Sequence, residues 1–172
     1  VKVPQGVLDA AQLRALADVA DRWSRGFGHV TTRQNVQLHF VKQHDVERAL
    51  HRLAEAGLTT REACGNTVRN VTACPYAGVA SDELFDVTPY AEALTRHFLR
   101  HRLGSGLPRK FKVAFEGCRD DHAFAAINDD PRAIWSADAS DRLSSNFSRF
   151  QGFLNSAQGQ VYSPHLFRRS RM

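Results

Sequence analysis

Residues 31–40, Thr-Thr-Arg-Gln-Asn-Val-Gln-Leu-His-Phe, place Val36, Leu38 and Phe40 on one phase and Arg33, Asn35, Gln37 and His39 on the other. Side chains alternate faces along a strand, so the pattern predicts one apolar face and one densely hydrogen-bonding face. A merely solvated face needs no such set of guanidinium, amide and imidazole groups. A face that grips an anionic ligand with a polar rim does.

The flanking segments set this strand in a larger pattern. Asp9 precedes a helical run of Leu13, Leu16, Ala17, Ala20 and Trp23, with Gln12 placed to complete a capping box, and Gly26 and Gly28 end it. Strands are expected at His29–Thr32 and Val36–Val41. A second helix carries Val46, Ala49, Leu50 and Leu53 on one stripe, with Asp45 as cap and Gly57 at its end. A last strand falls near Thr59–Ala63. Val1-Lys2-Val3 reads as the middle of a strand, as if the chain opened inside an element. Strand, helix, two strands, helix and strand make the βαββαβ order of a ferredoxin-like unit.

Residues 65–78 read as a loop with short extended pieces. Thr88 is placed to cap a third helix, with Pro89 in its first turn and Ala91, Leu94 and Phe98 on its buried stripe; Gly104 and Gly106 stop it. Leu107–Phe115 reads as a strand with Phe111, Val113 and Phe115 on one face, and Ala123–Ile127 as another short strand. The expected fold class is α+β. It comprises a ferredoxin-like unit over residues 1–63, part of a second α/β domain over 64–130, and a Ser/Arg-rich irregular tail over 131–172.

Charge and cysteine usage narrow the function. Of the net +5, residues 131–172 hold +4, so the folded part is nearly neutral and a bulk electrostatic case for nucleic acid fails there. Cys64, Cys74 and Cys118 are odd in number and form no CxxC pair, which argues for a reduced, cytoplasmic setting and against a disulfide framework. A cubane iron–sulfur cluster needs four cysteines in the usual case, more than this chain has. No leader peptide and no apolar run of membrane-spanning length is visible.

Several residues are candidates for chemistry. Arg33 heads the polar face, where its planar fork suits a carboxylate. Lys110 and Lys112 lie two apart on the expected strand, so they share a face about 6.5–7 Å apart. Two ammonium groups so placed repel, and an anion between them resolves the conflict, although spacing alone favours the simpler reading that both point to water. Arg69, alone in Gly65–Val71, reads as a surface charge. His29 and His39 lack zinc spacing and read as hydrogen-bonding groups. Cys74 reads as a small core residue, and Asp82, Glu83 and Asp86 as a solvated turn. Arg33, Arg69, Arg109, Lys110 and Lys112 come from separate segments, and with Thr31, Asn35 and Gln37 they form a set able to hold one polyanion.

Thr-Thr-Arg-Gln-Asn-Val-Gln-Leu-His (31–39), Gly-Asn-Thr-Val-Arg-Asn-Val (65–71) and Leu-Pro-Arg-Lys-Phe-Lys (107–112) closely resemble siroheme-dependent nitrite and sulfite reductases. So do Val-Pro-Gln-Gly (3–6), Asp-Glu-Leu-Phe-Asp-Val-Thr-Pro-Tyr (82–90) and Ala-Phe-Ala-Ala-Ile-Asn-Asp (123–129). The likeness runs in the family's order over residues 1 to about 130. It implies part of the N-terminal half of a reductase that uses siroheme and a 4Fe–4S cluster for six-electron reduction of sulfite to sulfide or nitrite to ammonia. It implies a ferredoxin or flavoprotein electron donor. By position, Thr31, Arg33, Asn35, Gln37 and Arg109 would hold the siroheme carboxylates. Arg69, Lys110 and Lys112 would bind the oxyanion and supply protons. The family's cluster cysteines belong to its C-terminal half, so the resemblance implies a chain inactive alone, completed by a second polypeptide or interrupted. The competing readings are a non-catalytic anion- or tetrapyrrole-binding module and, last, a nucleic-acid binder resting on Arg168, Arg169 and Arg171.

Overall fold

The computed structural model describes residues 1–102, 104 and 106–133, with the side chains of 126 and 130–133 left aside. The tail expected over 131–172 therefore lies, beyond residue 133, outside the described residues. Helix α1 spans Ala10–Trp23. Its N-terminus is the expected capping box: Asp9 Oδ1 accepts from Gln12 N at 2.7 Å, and Gln12 Oε1 accepts from Asp9 N at 3.0 Å. Ala15, Leu16, Val19 and Ala20 are buried. Leu13, expected on the buried stripe, is 60% exposed. Helix α2 (Val46–Glu55) crosses α1 further along, where Arg52 bonds Asp18 at 2.7 Å, and leaves the first turn of α1 uncovered. Asp45 does not cap α2. A 3₁₀ turn over Gln43–Asp45 already holds it in helical conformation, and its carboxylate meets Arg48 instead.

Strands β1 (Gly28–Val30) and β2 (Val36–Leu38) form an antiparallel hairpin with His29 opposite Gln37. Both are shorter than expected. Phe40 sits at φ 62° and ends β2, and Gln34 at φ 57° makes residues 31–35 a tight turn closed by Thr31 N to Asn35 O at 2.8 Å. Arg33 and Asn35 thus stand in a turn, and the alternation of faces survives only over Val36–Leu38. The expected strand at Thr59–Ala63 is a single bridge, Lys2 to Thr59 at 2.8 Å, because the chain turns at Glu62 with φ 59°. Val1 and Val36 exchange backbone bonds at 2.6 and 3.3 Å. The lateral order Thr59, Lys2, Val36, Gly28 is the ferredoxin-like order, with the strands at Thr59 and Lys2 cut to one or two residues. Leu16, Val19, Ala49, Leu53 and Leu58 make its core, with Val36 and Leu38 packed against it.

The second layer is a parallel sheet in the order β3 (Val68–Ala73), β4 (Phe111–Glu116), β5 (Asp130–Ala133). Residues 65–78, expected as a loop, contain β3. A parallel strand buried on both sides shows no apolar alternation, and Asn70 and Thr72 break the run of apolar residues. Strand β4 starts at Phe111, four residues later than expected, and leaves Lys110 outside it. Phe111, Val113 and Phe115 all face the core, as expected. The short strand expected at Ala123–Ile127 is a 3₁₀ turn over Ala125–Ile127, entered through Phe124 at φ 51°. Helix α3 (Thr88–Phe98) buries Ala91 and Phe98, as expected, together with Thr95. Thr88 is its first residue and not its cap; Asp86 Oδ1 takes the Thr88 N–H at 2.8 Å.

One clasp joins the two layers. Arg33 Nη2 donates to Asn70 O at 2.5 Å and to Val113 O at 3.1 Å, and Nη1 donates to Asn128 Oδ1. In return Asn70 Nδ2 donates to Arg33 O at 3.0 Å and to Val3 O at 2.7 Å. Gln34 adds a two-bond bridge to Ala73: its Nε2 to Ala73 O at 2.6 Å and Ala73 N to its Oε1 at 3.0 Å. Asn70 is fully buried.

Removing the Asn70 carboxamide takes one donor from Val3 O, which keeps its Gly6 N–H bond, and takes the Asn70 donor from Arg33 O. Asn70→Ala is therefore expected to cost about 2–3 kcal/mol in urea unfolding, against less than about 0.5 kcal/mol for exposed Gln37→Ala; equal losses would contradict this. Burial and neighbouring His101 hold the His97 imidazole on α3 below its ordinary 6.5. Below pH 6.5 the unfolded chain takes a proton that the folded one refuses, so stability falls as pH falls through that window. His97→Gln is expected to flatten the fall in urea midpoint between about pH 7 and about pH 5; an unchanged slope would assign the fall to other groups.

Candidate functional site

The parallel pair β3–β4 has one cationic end. Arg69 is the second residue of β3, and the register Val68–Phe111 and Val71–Val113 sets it beside Lys112, at a bulge where β3 carries an extra residue. Arg109 and Lys110 lead into β4 and are exposed. The Arg33 fork reaches the same end, between the carbonyls that follow Arg69 and Lys112. Burial and the nearby Arg69 charge lower the Arg33 guanidinium from its ordinary value, and Asp129 partly offsets them. Lys2 is lowered in the same way, by burial first, against the opposing pull of Glu62 at 3.7 Å, with the Arg69 charge again adding to the fall. The Arg69 charge thus acts on cations of two other segments here.

The site residues expected from the sequence divide by their partners. Arg69 makes one long bond, Nη1 to Gly65 O at 3.3 Å. Among the described residues no carboxylate pairs with the side chains of Arg109, Lys110 or Lys112; Asp129 instead accepts the Lys112 backbone N–H at 3.0 Å. Gln37 is exposed on β2. Thr31 and Asn35 serve the turn: Thr31 Oγ1 accepts from Arg33 N at 3.3 Å and Asn35 N at 3.1 Å, and Asn35 Oδ1 accepts from Val3 N at 3.0 Å. Both terminal nitrogens of Arg33 are engaged within the chain, and its Nε is buried without a partner.

Sequence reasoning missed Gln34, Asn70 and Asn128, which hold the turn against the sheet. The available signal was Asn70 itself, a carboxamide between apolar strand residues, which must be paired when buried. His29 and His39 do hydrogen-bond, ring nitrogen to ring nitrogen at 2.7 Å. Cys74 is a core residue, 3% exposed. Burial pushes its thiol up to about 12 and raises the Cys118 thiol too, so neither is an activated nucleophile. A cleft of about 320 Å³ lies between the 31–35 turn, Gln5–Leu8 and the Ala73–Ala77 segment. Its lining holds no charged side chain, so it does not suit a polycarboxylate.

A family model described as the nitrite/sulfite reductase ferredoxin-like half domain matches residues 1–56, and one described as the nitrite and sulphite reductase 4Fe–4S domain matches residues 64–130. A ferredoxin–nitrite reductase of Leptolyngbya laminosa is 37% identical over 134 residues, covering 75% of this chain and 26% of that protein. A sulfite reductase (ferredoxin) of Mycobacterium tuberculosis is 36% identical over 134 residues, covering 74% and 24%. The chain thus spans about a quarter of the length of the curated relatives it matches. The solved structure of the Mycobacterium tuberculosis NirA protein superposes with a TM-score of 0.66 at 37% identity, over 70% of this chain and 22% of that one. The dissimilatory sulfite reductase DsrI superposes at 0.56 with 20% identity, over 69% and 27%, a likeness of fold. With both matches in register with the two layers of the fold, the chain belongs to the nitrite/sulfite reductase family.

Proposed function

We propose that this chain is the N-terminal part of a siroheme- and 4Fe–4S-dependent reductase that converts nitrite to ammonia or sulfite to sulfide, and that it is inactive alone. The observation that supports this most is the gathering of Arg69, Arg109, Lys110 and Lys112 at one end of β3–β4, with no carboxylate of the described residues paired to the side chains of the last three. Unpaired cations so close together repel, and a polyanion between them relieves that cost. The donor chemistry fits a carboxylate-rich macrocycle.

In this reading Arg109, Gln37 and the Thr31–Asn35 turn face the siroheme carboxylates. Arg33 is the brace that holds that turn in place, since its fork is engaged on Asn70, Val113 and Asn128. Arg69, Lys110 and Lys112 attract the oxyanion, offset charge that builds on it, and hand protons to its leaving oxygens. Siroheme and its cluster, when bound, supply the iron that takes the anion and the six electrons. No cluster ligation is assigned to this chain: Cys74 and Cys118 face each other in the core and Cys64 is exposed. Two relatives that use ferredoxin, the nitrite reductase of Leptolyngbya laminosa and the sulfite reductase of Mycobacterium tuberculosis, make ferredoxin the favoured donor over a flavoprotein. A C-terminal half, in the same polypeptide or as a separate chain, completes the site. Among the described residues no helix is long and apolar enough to cross a membrane, and the free thiols suit the reducing cytoplasm.

The test is reconstitution with siroheme and a C-terminal half. A Soret band and nitrite or sulfite reduction are expected only when both halves are present, and no band in that mixture would refute the reading. Tight binding of siroheme by this chain alone, with no activity in the mixture, would favour the non-catalytic tetrapyrrole-binding alternative. In the reconstituted enzyme Lys112→Ala is expected to lower kcat about 10²–10³-fold with siroheme loading intact. An unchanged rate would remove Lys112 from the chemistry.

A further inference from the structure

The sheet has a second end, and there four metal-ligating groups meet. Cys74 follows β3, Glu116 ends β4, Cys118 lies two residues on, and His122 stands in the next turn. One ligand atom from each lies within 4.8 Å of the others. The two Sγ atoms are 3.5 Å apart, and Cys74 Sγ is 4.0 Å from His122 Nδ1. Zinc–sulfur bonds of about 2.3 Å and zinc–nitrogen bonds of about 2.0–2.1 Å in a tetrahedron put sulfurs about 3.8 Å apart and sulfur about 3.5 Å from nitrogen. The observed separations differ from these by about half an ångström or less, within reach of small side-chain rotations. The Sγ–Sγ separation is far longer than the roughly 2.05 Å of a disulfide.

We propose that Cys74, Cys118, His122 and Glu116 form a binding site for one zinc-class divalent cation, which pins the C-terminal ends of β3 and β4 to the turn that follows. The donor set selects the metal class: two thiols and an imidazole favour zinc over the hard ions magnesium and calcium. The surroundings are organised for it. Glu116 is fully buried, and its carboxylate accepts the N–H groups of Gly117, Cys118 and Ala123 at 3.0, 2.9 and 2.8 Å. Two carboxylate oxygens offer about four acceptor positions, so one remains for an ion. Two thiolates and a carboxylate around a divalent cation leave one negative charge, and those three N–H groups are placed to stabilise it. The edge of the Tyr76 ring stands against the His122 ring, centroids 5.1 Å apart at 81°, and limits its rotation.

Backbone packing brings the ligands this close. A Cβ on Gly117 would collide with the Phe85 carbonyl and stand 2.9 Å from Val87 Cγ1, so only glycine lets the chain pass between Glu116 and Cys118 here. Cys74 also lines the 320 Å³ cleft and His122 is half-buried, which gives an ion a way in. Arg69 and Cys74 are five positions apart, about 16 Å along an extended strand. The site is therefore independent of the cationic end, and its test is independent of reductase activity.

The reduced full chain, stripped of metal, is titrated with Co²⁺ and then Zn²⁺. One equivalent of Co²⁺ is expected to bind with release of the thiol protons and to give thiolate-to-metal charge-transfer absorption, which one equivalent of Zn²⁺ then abolishes by displacing the Co²⁺. Cys118→Ser should abolish the absorption. His122→Ala, at a half-buried position, should keep the wild-type circular dichroism and weaken affinity by at least the roughly 10–100-fold that loss of an outer-shell partner costs. Exposed Cys64→Ser should change nothing. A wild-type chain with no charge-transfer absorption would overturn the proposal. So would absorption that follows Cys64, or air oxidation to a Cys74–Cys118 disulfide by a chain that takes up no metal.

Discussion

The reciprocal bonding of Arg33 and Asn70 is the constraint on which the rest of the structure depends. Each side chain donates to the other's backbone carbonyl, and Arg33 reaches Val113 of the neighbouring strand as well. A guanidinium and a carboxamide taken out of water this way are costly unless paired, so the 31–35 turn has one docking position that satisfies them. Gln34 repeats the lock at Ala73, on both the donor and the acceptor of one peptide position. The ferredoxin-like layer is thereby set in register against β3 and β4.

That register divides the parallel sheet into two chemically different ends. At the starts of β3 and β4 lie Arg69, Arg109, Lys110 and Lys112, with Arg33 held among the carbonyls. At their ends lie Cys74, Glu116, Cys118 and His122, buried or half-buried. Between them runs a core of Val71, Val113 and Phe115 that carries no charge. Hard anions and soft metal ions would thus meet opposite ends of one pair of strands. Parallel pairing is what allows it, because the two strands start together and finish together.

The parts of the fold legible in the sequence were those fixed by local chemistry. The α1 capping box needs only Asp9 and Gln12 three residues apart, and it is present. Phe111, Val113 and Phe115 share a face because period two is a property of the strand itself. What was not legible depended on distant partners. The 31–40 alternation looked like a long strand, yet Gln34 and Phe40 adopt positive φ, since the turn must place Arg33 against Asn70. Strand β3 looked like a loop because its polar residues, Asn70 and Thr72, are buried for bonds to other segments. The candidate cations were visible one by one, but their nearness came from the register between β3 and β4. The Cys74–Cys118 pair was invisible for the same reason: 44 residues separate them.

The most direct measurement of the central claim is an amide NMR titration of the ¹⁵N-labelled chain with iron-free siroheme, whose carboxylates need no iron to bind. Shifts confined to Gln34–Gln37, Val68–Asn70 and Arg109–Lys112 are the predicted result, mapping one cationic end built from three segments. Shifts scattered over unrelated surfaces, or centred on the uncharged cleft at Ala73–Ala77, would contradict it.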